Sequence, residues 1–306
     1  MHILKGYTKQ EISWMMYDWA NSAHSVIIVT LLPIFFDTVA GYTADSVSSM
    51  STWGYATSIA MLIVALAAPF LGVFGDIRGM RKKLFSFFML LGVAACAGMA
   101  FTPGMDFTSG PAAAGKVASL ILVLYIVSVI GFDASAIYYD AFLTDVTIED
   151  RMDKVSTMGY GLGYIGGSTI PLLIFLIMNL VGVPMLTCLA FVFGLTAVWW
   201  LAFSLPLLKN CEQTSGKPYE KGDVARSIKG VGTTIKEIIA NKPMLIYILS
   251  YFFYIDGVHT VISMATTYGT NLGLDSTGMM LALLLVQILG LPFCLLYIKC
   301  LSLIHI

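Results

Sequence analysis

Eight times between Trp14 and Ile298 the sequence runs through a stretch of predominantly apolar residues, each close to the twenty or so that a helix needs to cross a hydrocarbon core. The stretches are 14–36, 54–74, 84–102, 117–139, 158–181, 185–208, 244–270 and 279–298. In lipid every backbone N–H and C=O must be satisfied inside its own segment, so runs of this kind fold as helices. Prolines 33, 69, 171 and 292 fall in or near them and are tolerated because neighbouring helices satisfy the freed carbonyls. The implied fold class is an all-α membrane protein.

Composition removes the soluble alternatives. Of 306 residues, 58% are hydrophobic and only 11% charged, less than half the charge of an ordinary soluble domain at about 25%. A net charge of −1 offers no basic footprint for nucleic acid. The five cysteines, Cys96, Cys188, Cys211, Cys294 and Cys300, have no CxxC or metal-ligand spacing and read as small buried hydrophobes. No cofactor and no metal are expected. The first apolar run is long and no small-residue cleavage site follows it, so it reads as a retained anchor and not a signal peptide.

Basic residues fix the expected orientation. With the N-terminus in the cytoplasm and the spans alternating, 16 of the 17 Lys and Arg residues lie inside, and only Lys116 lies outside. The layout is six spans and then two. Residues 1–208 form a six-helix bundle, 209–242 a cytoplasmic linker, 243–299 two helices of a second bundle, and 300–306 a tail. Within the linker, Val224, Ile228, Val231, Ile235 and Ile238 repeat with spacings of four and three, one face of an amphipathic helix. Such a helix either lies on the membrane surface or packs on the protein as an ordinary linker, and the sequence leaves both open.

Polar residues within the spans point to function, because an aspartate at mid-bilayer costs roughly 2.5–3.5 kcal/mol. The first span carries Asp18, Asn21 and Ser22, and the seventh carries Asp256, His259 and Thr260. In each, a carboxylate, a hydrogen-bonding group and a hydroxyl stand at i, i+3 and i+4, on one helix face. Spans one and seven are corresponding members of two six-helix halves, and repeat-built transporters place their sites between such halves. The plainer reading is that each triplet only holds helices together, or that both aspartates anchor helix ends. In the fourth span Asp133 is the candidate for a cavity. Asp140, with Asp145 beyond it, reads as a partner for the basic loop between spans two and three, and Tyr125, Tyr138 and Tyr139 read either as lining the path or, more simply, as packing residues. Gly159, Gly163 and Gly167 make a small-residue stripe along the fifth span that lets another backbone approach closely.

The loop from Gly72 through Gly75, Asp76, Arg78, Gly79, Arg81 and Lys82 resembles the loop signature of the major facilitator superfamily. In it Gly79 permits a tight turn, Asp76 can sit at the N-terminus of a neighbouring helix, and Arg81 can reach an acidic partner. More narrowly, Tyr17-Asp18-Trp19-Ala20-Asn21-Ser22, Tyr139-Asp140-Ala141-Phe142-Leu143, the glycine-rich fifth span and Phe253 to Thr260 resemble the vacuole-effluxer-like branch, similar to autophagy-related amino-acid exporters. The resemblance implies twelve helices in two bundles, working by alternating access. Four C-terminal spans are then missing, so the chain reads as a C-terminally truncated fragment, with Gly257 and Gln287 left without partners. Its last six residues, Leu301 to Ile306, read like a translated transposon end used to prepare sequencing libraries. There are also departures from the family pattern: the fourth span has no Arg or Lys, and the fifth lacks the Gly-Pro pair of the usual antiporter signature.

The expected function is secondary transport of a small polar solute, an amino acid among the candidates, with a proton or cation as coupling ion. The protein is expected to be a monomer in the lipid bilayer of a bacterial inner membrane, and not an enzyme. Two other classes compete. One is a non-transporting membrane sensor. The other is an intramembrane aspartyl hydrolase built on Tyr17-Asp18 and Tyr139-Asp140, which needs two carboxylates sharing a proton; the nearest second motif, ending at Asp76, falls in the basic loop.

Overall fold

The computed structural model describes residues 4–43, 46–218 and 223–304, without the side chains of 46–48, 223–229, 276 and 301–304. The proposed foreign tail and the first half of the linker's apolar stripe therefore lie largely outside the described residues.

Among the described residues ten α-helices run in chain order: α1 Lys9–Ala40, α2 Ser46–Gly75, α3 Arg81–Met99, α4 Pro111–Val146, α5 Glu149–Leu162, α6 Ile170–Leu180, α7 Met185–Asn210, α8 Asp223–Ala240, α9 Lys242–Asn271 and α10 Ser276–Ile304. A π-helical segment, Gly163–Thr169, joins α5 to α6 in one span. Eight helical stretches among the described residues are long and apolar enough to cross a membrane, and each expected span lies inside or within a residue of one of them. The protein is an integral, multi-pass membrane protein.

The π-helical segment has a local cause. Pro171, two residues past its end, has no N–H, and its ring collides with the carbonyl four residues back in a regular α-helix. Widening the turn relieves that collision. The Thr169 hydroxyl then donates to the Tyr164 carbonyl at 2.7 Å, five residues earlier.

Helix α1 is the axis of the first bundle, and α4, α7 and the fifth span pack around it. Met15, Tyr17, Ala20, Ile27 and Leu31 are wholly buried, although a span at the edge of a bundle exposes one side to lipid. Apolar residues that point away from the bundle, such as Leu66 and Val198, are where a bilayer places them. Close approach between helices depends on glycine. At the α3–α4 crossing a Cβ on Gly131 would stand 2.5 Å from the Gly92 nitrogen, and one on Gly92 would stand 2.4 Å from the Trp200 ring.

The last two helices sit against this bundle by different means. Helix α10 lies on the fifth span, where a Cβ on Gly290 would be 2.5 Å from the Tyr164 ring and one on Gly161 would be 2.8 Å from Leu291. Gln287 is buried, and its Oε1 has no hydrogen-bond partner among the described residues. Gly257 does stand free, with nothing within 4 Å of a Cβ there. Helix α9 is buried only near its C-terminal end, at Thr266, Thr267 and Gly269.

Candidate functional site

The stripe of the first span meets the stripe of the fifth. Helices α1 and α5 start at the same end of the bundle, tied by Glu11, which accepts from the Arg151 side chain at 2.8 and 2.9 Å and from the Thr147 hydroxyl at 2.7 Å. From there the two run side by side in steps of four residues. A Cβ on Gly159 would lie 2.3 Å from Asp18 Oδ2, one on Gly163 would lie 2.5 Å from the Ser22 hydroxyl, and one on Gly167 would lie 2.5 Å from the Trp19 carbonyl. The glycines are the mould in which Asp18 and Ser22 sit. Ser168 adds a hydrogen bond to the Ser22 carbonyl at 3.3 Å.

Asp18 is buried and its carboxylate accepts from the Tyr139 hydroxyl at 2.7 Å. Tyr139 is held in turn: its ring stacks on Trp14 at 4.3 Å, and the Trp14 indole donates to the Tyr139 carbonyl at 2.9 Å. The tyrosines for which packing was the simpler expectation all carry hydrogen bonds. Tyr138 donates to the Leu71 carbonyl at 3.0 Å, and Tyr125 shares a hydrogen bond with Thr57 at 3.2 Å. Helix spacing could not reveal this, because a phenol's partner is chosen by the helix facing it.

Asn21 is buried beside Asp18 on α1. Asp133 lies in the middle of α4, half-buried, and its Oδ2 is shielded from solvent without a hydrogen-bond partner among the described residues. His24 is a site that sequence reasoning passed over. It is buried between Phe132, stacked at 4.8 Å, and Trp200, with both ring nitrogens unpartnered among the described residues. Asp256, His259 and Thr260 share one face of α9 and are exposed, so the two matching triplets have different surroundings: one is moulded into a helix seam, the other open.

The loop signature forms a second polar centre, at the end of the bundle where α2 ends and α3 begins. Gly79 has φ +80°, the left-handed conformation that favours glycine. Arg81 is buried and pairs with Asp145, also donating to the Ala141 carbonyl at 2.9 Å and the Ser215 hydroxyl at 3.2 Å. Its acidic partner is therefore Asp145. Asp140, five residues earlier, is exposed, because five residues carry it about 140° round the helix and off the Arg81 side of α4. Asp76 does not cap α3: Met80 is the N-cap and makes no side-chain cap bond, while the Asp76 carboxylate is 82% exposed and 4.0 Å from Arg81.

The segment after α7 straps across this centre. Asp145 Oδ1 accepts from the amides and hydroxyls of Thr214 and Ser215 at 2.7 to 3.1 Å. Gln213 accepts from the Gly79 amide at 2.8 Å and donates to the Gly75 carbonyl at 3.0 Å. Lys217 exchanges backbone bonds with Asp76 and Arg78 at 3.1 and 3.0 Å, and Lys82 donates to the Cys211 carbonyl at 3.1 Å. Gly72, the first residue of the signature, has nothing within 4 Å of a Cβ.

Residues 42–152 and 144–299 match the family described as vacuole effluxer Atg22 like. The Uncharacterized MFS-type transporter YxiO of Bacillus subtilis (strain 168) is 39% identical over 305 residues, 97% of this chain and 68% of that protein. Autophagy-related protein 22-1 of Penicillium rubens is 26% identical over 159 residues, 48% of this chain and 27% of its own length. A crystal structure of a D-xylose-proton symporter superposes with a TM-score of 0.60 at 15% identity, covering 96% of this chain and 69% of the symporter, and so shares the fold. These are transporters and not enzymes, which sets the hydrolase reading aside. The chain belongs to the vacuole effluxer Atg22-like family of major facilitator transporters.

Proposed function

We propose that the transport carried out by this family is directed here at a small polar solute, with an amino acid as the first candidate and efflux as the direction. Two bundles rock about a route lined by Asp18, Asn21, Ser22 and Asp133 on one side and by Asp256, His259 and Thr260 on the other. The basic end of the bundle faces the cytoplasm, placing the N-terminus there, and the membrane is a bacterial cell membrane. The observation that carries the reading is the carboxylate oxygen of Asp133, shielded within a span and unmatched by any described donor. A carboxylate kept there at a cost of roughly 2.5–3.5 kcal/mol is available to a solute ammonium group or to a coupling proton. Asp18, already engaged by Tyr139, supports the route's wall.

Two measurements test this. Vesicle transport by the Bacillus relative across amino acids, sugars and small cations names the solute class. Binding of the same solute to this chain, wild type against Asp133→Asn, then assigns the residue. Amino-acid transport together with binding lost in the variant is the expected result. A sugar-only response rejects the solute class, and equal binding by both proteins rejects Asp133.

A further inference from the structure

Helix α8 has an apolar stripe that the protein covers only in part. Val231 and Ile238 are half-buried where the helix packs against α2 and α9. Ile235 and Ile239, one turn apart on the adjoining strip of the same stripe, are 49% and 60% exposed. Isoleucines at i and i+4 on a charged helix form a continuous uncovered ridge.

Geometry places that ridge beside the bilayer. Asn241 alone separates the end of α8 from Lys242, the first residue of the membrane-spanning α9. The Asn241 side chain caps α9 by accepting from the Met244 amide at 3.3 Å, fixing the turn between the two helices. The last turn of α8 therefore sits at the level where α9 enters the lipid. One flank of the stripe is basic by register: Lys236 and Lys229 lie about 100–120° round the helix from Ile235, with Lys242 following, whereas Arg226 falls with Glu237 on the opposite face. An uncovered apolar ridge, a cationic flank and a forced position at the membrane boundary describe a helix lying in the headgroup layer.

We infer that α8 binds the surface of an anionic bilayer, with Ile235 and Ile239 inserted below the headgroups and the basic residues on lipid phosphates. This resolves the choice between a surface helix and a plain linker in favour of lipid as the occupant, and it is independent of which solute is carried.

The full chain, with Cys300→Ser, is reconstituted into vesicles of phosphatidylcholine alone or mixed with phosphatidylglycerol. A fluorophore is attached at Ile239→Cys or, as a control on the opposite face, at Glu237→Cys. Doxyl-labelled lipid should quench the Ile239 probe at least about twofold more than the Glu237 probe, more strongly with phosphatidylglycerol present. The added substitutions Lys229→Gln and Lys236→Gln should remove the phosphatidylglycerol increment. Iodide quenching without doxyl quenching at position 239 means the ridge stays in water and overturns the inference. Shielding from both quenchers means protein covers the ridge and overturns it equally. Doxyl quenching that ignores phosphatidylglycerol and the lysines overturns the anionic part.

Discussion

Removing the Asp145 carboxylate should be more damaging than removing both members of its pair. Arg81 and Asp145 have side chains that are 5% and 0% exposed, so neither charge is supported by water. In Asp145→Ala the guanidinium stays buried with the Ala141 carbonyl and the Ser215 hydroxyl as acceptors, and its remaining counter-charge is the exposed Asp76 carboxylate 4.0 Å away. Stranding a buried charge in this way costs about 3–5 kcal/mol, which for a domain of this size lowers the melting temperature by roughly 6–20 °C. The double variant Arg81→Met with Asp145→Leu removes the desolvation cost together with the attraction and should recover to within about 2 kcal/mol of wild type. Both variants lose the acceptor of the Thr214 and Ser215 amides, so hydrogen exchange in the strap should accelerate in both. Thermal unfolding in detergent and exchange at residues 213–217 read the two effects separately. An Asp145→Ala protein that melts with wild type and keeps its strap protected would show that the pair holds nothing. Equal losses in the single and double variants would show that charge burial is not the cause.

Three further outcomes follow from the packing. Gly159→Ala drives a methyl against Asp18 Oδ2 and should cost about 1–3 kcal/mol in thermal unfolding, whereas Gly72→Ala, in open space, should be neutral or stabilise by up to about 1 kcal/mol; equal effects at the two sites would reject the mould described for the fifth span. Tyr139→Phe leaves Asp18 buried without its donor and should cost about 1–3 kcal/mol, and an unchanged melting temperature would mean that the carboxylate finds another partner. Cysteines introduced at 79–83 and 214–217 should label from the cytoplasmic side and those at 108–115 from the opposite side, read in a Cys300→Ser background. Native Cys211 will stay silent in that assay because burial pushes its thiol up to about 12; labelling of 214–217 from outside would reverse the orientation.

What was legible in the sequence follows from how local each signal is. The spans were legible because hydrophobic length is a property of one segment, and Trp14 to Phe36 needs no neighbour to be read as a crossing. The close approach along Gly159, Gly163 and Gly167 was legible for the same reason, since small residues every fourth position announce a seam. What fills the seam was not. Nothing in one segment says that Asp18 and Ser22 are the side chains received there, or that Tyr139 reaches Asp18 across 121 residues of chain. The same limit explains the loop. Arg81 asked for an acidic partner, and Asp140 and Asp145 at the end of the fourth span both qualified, but the strap that selects Asp145 is made by Gln213, Thr214 and Ser215, which carry no motif.

The fifth span emerges as the element on which the rest depends, for a reason that its glycines make explicit. Their two sides serve different helices. Gly159, Gly163 and Gly167 receive α1, whereas Gly161 and Tyr164 receive α10 at Leu291 and Gly290. A helix lined on only one side by small residues could hold one neighbour closely; this one holds a neighbour from each bundle. The π-helical segment Gly163–Thr169 carries part of both contacts, Gly163 and Gly167 towards α1 and Tyr164 towards α10, and its backbone ladder is already shifted by Pro171 and has the least regular bonding to lose. Helix α10 and Asp18 are thus joined through a single span that contains an irregular turn. Alternating access needs its two bundles to move against each other while each keeps its own core. Small residues on both faces of one span provide close contact without the interlocked side chains that would resist that movement.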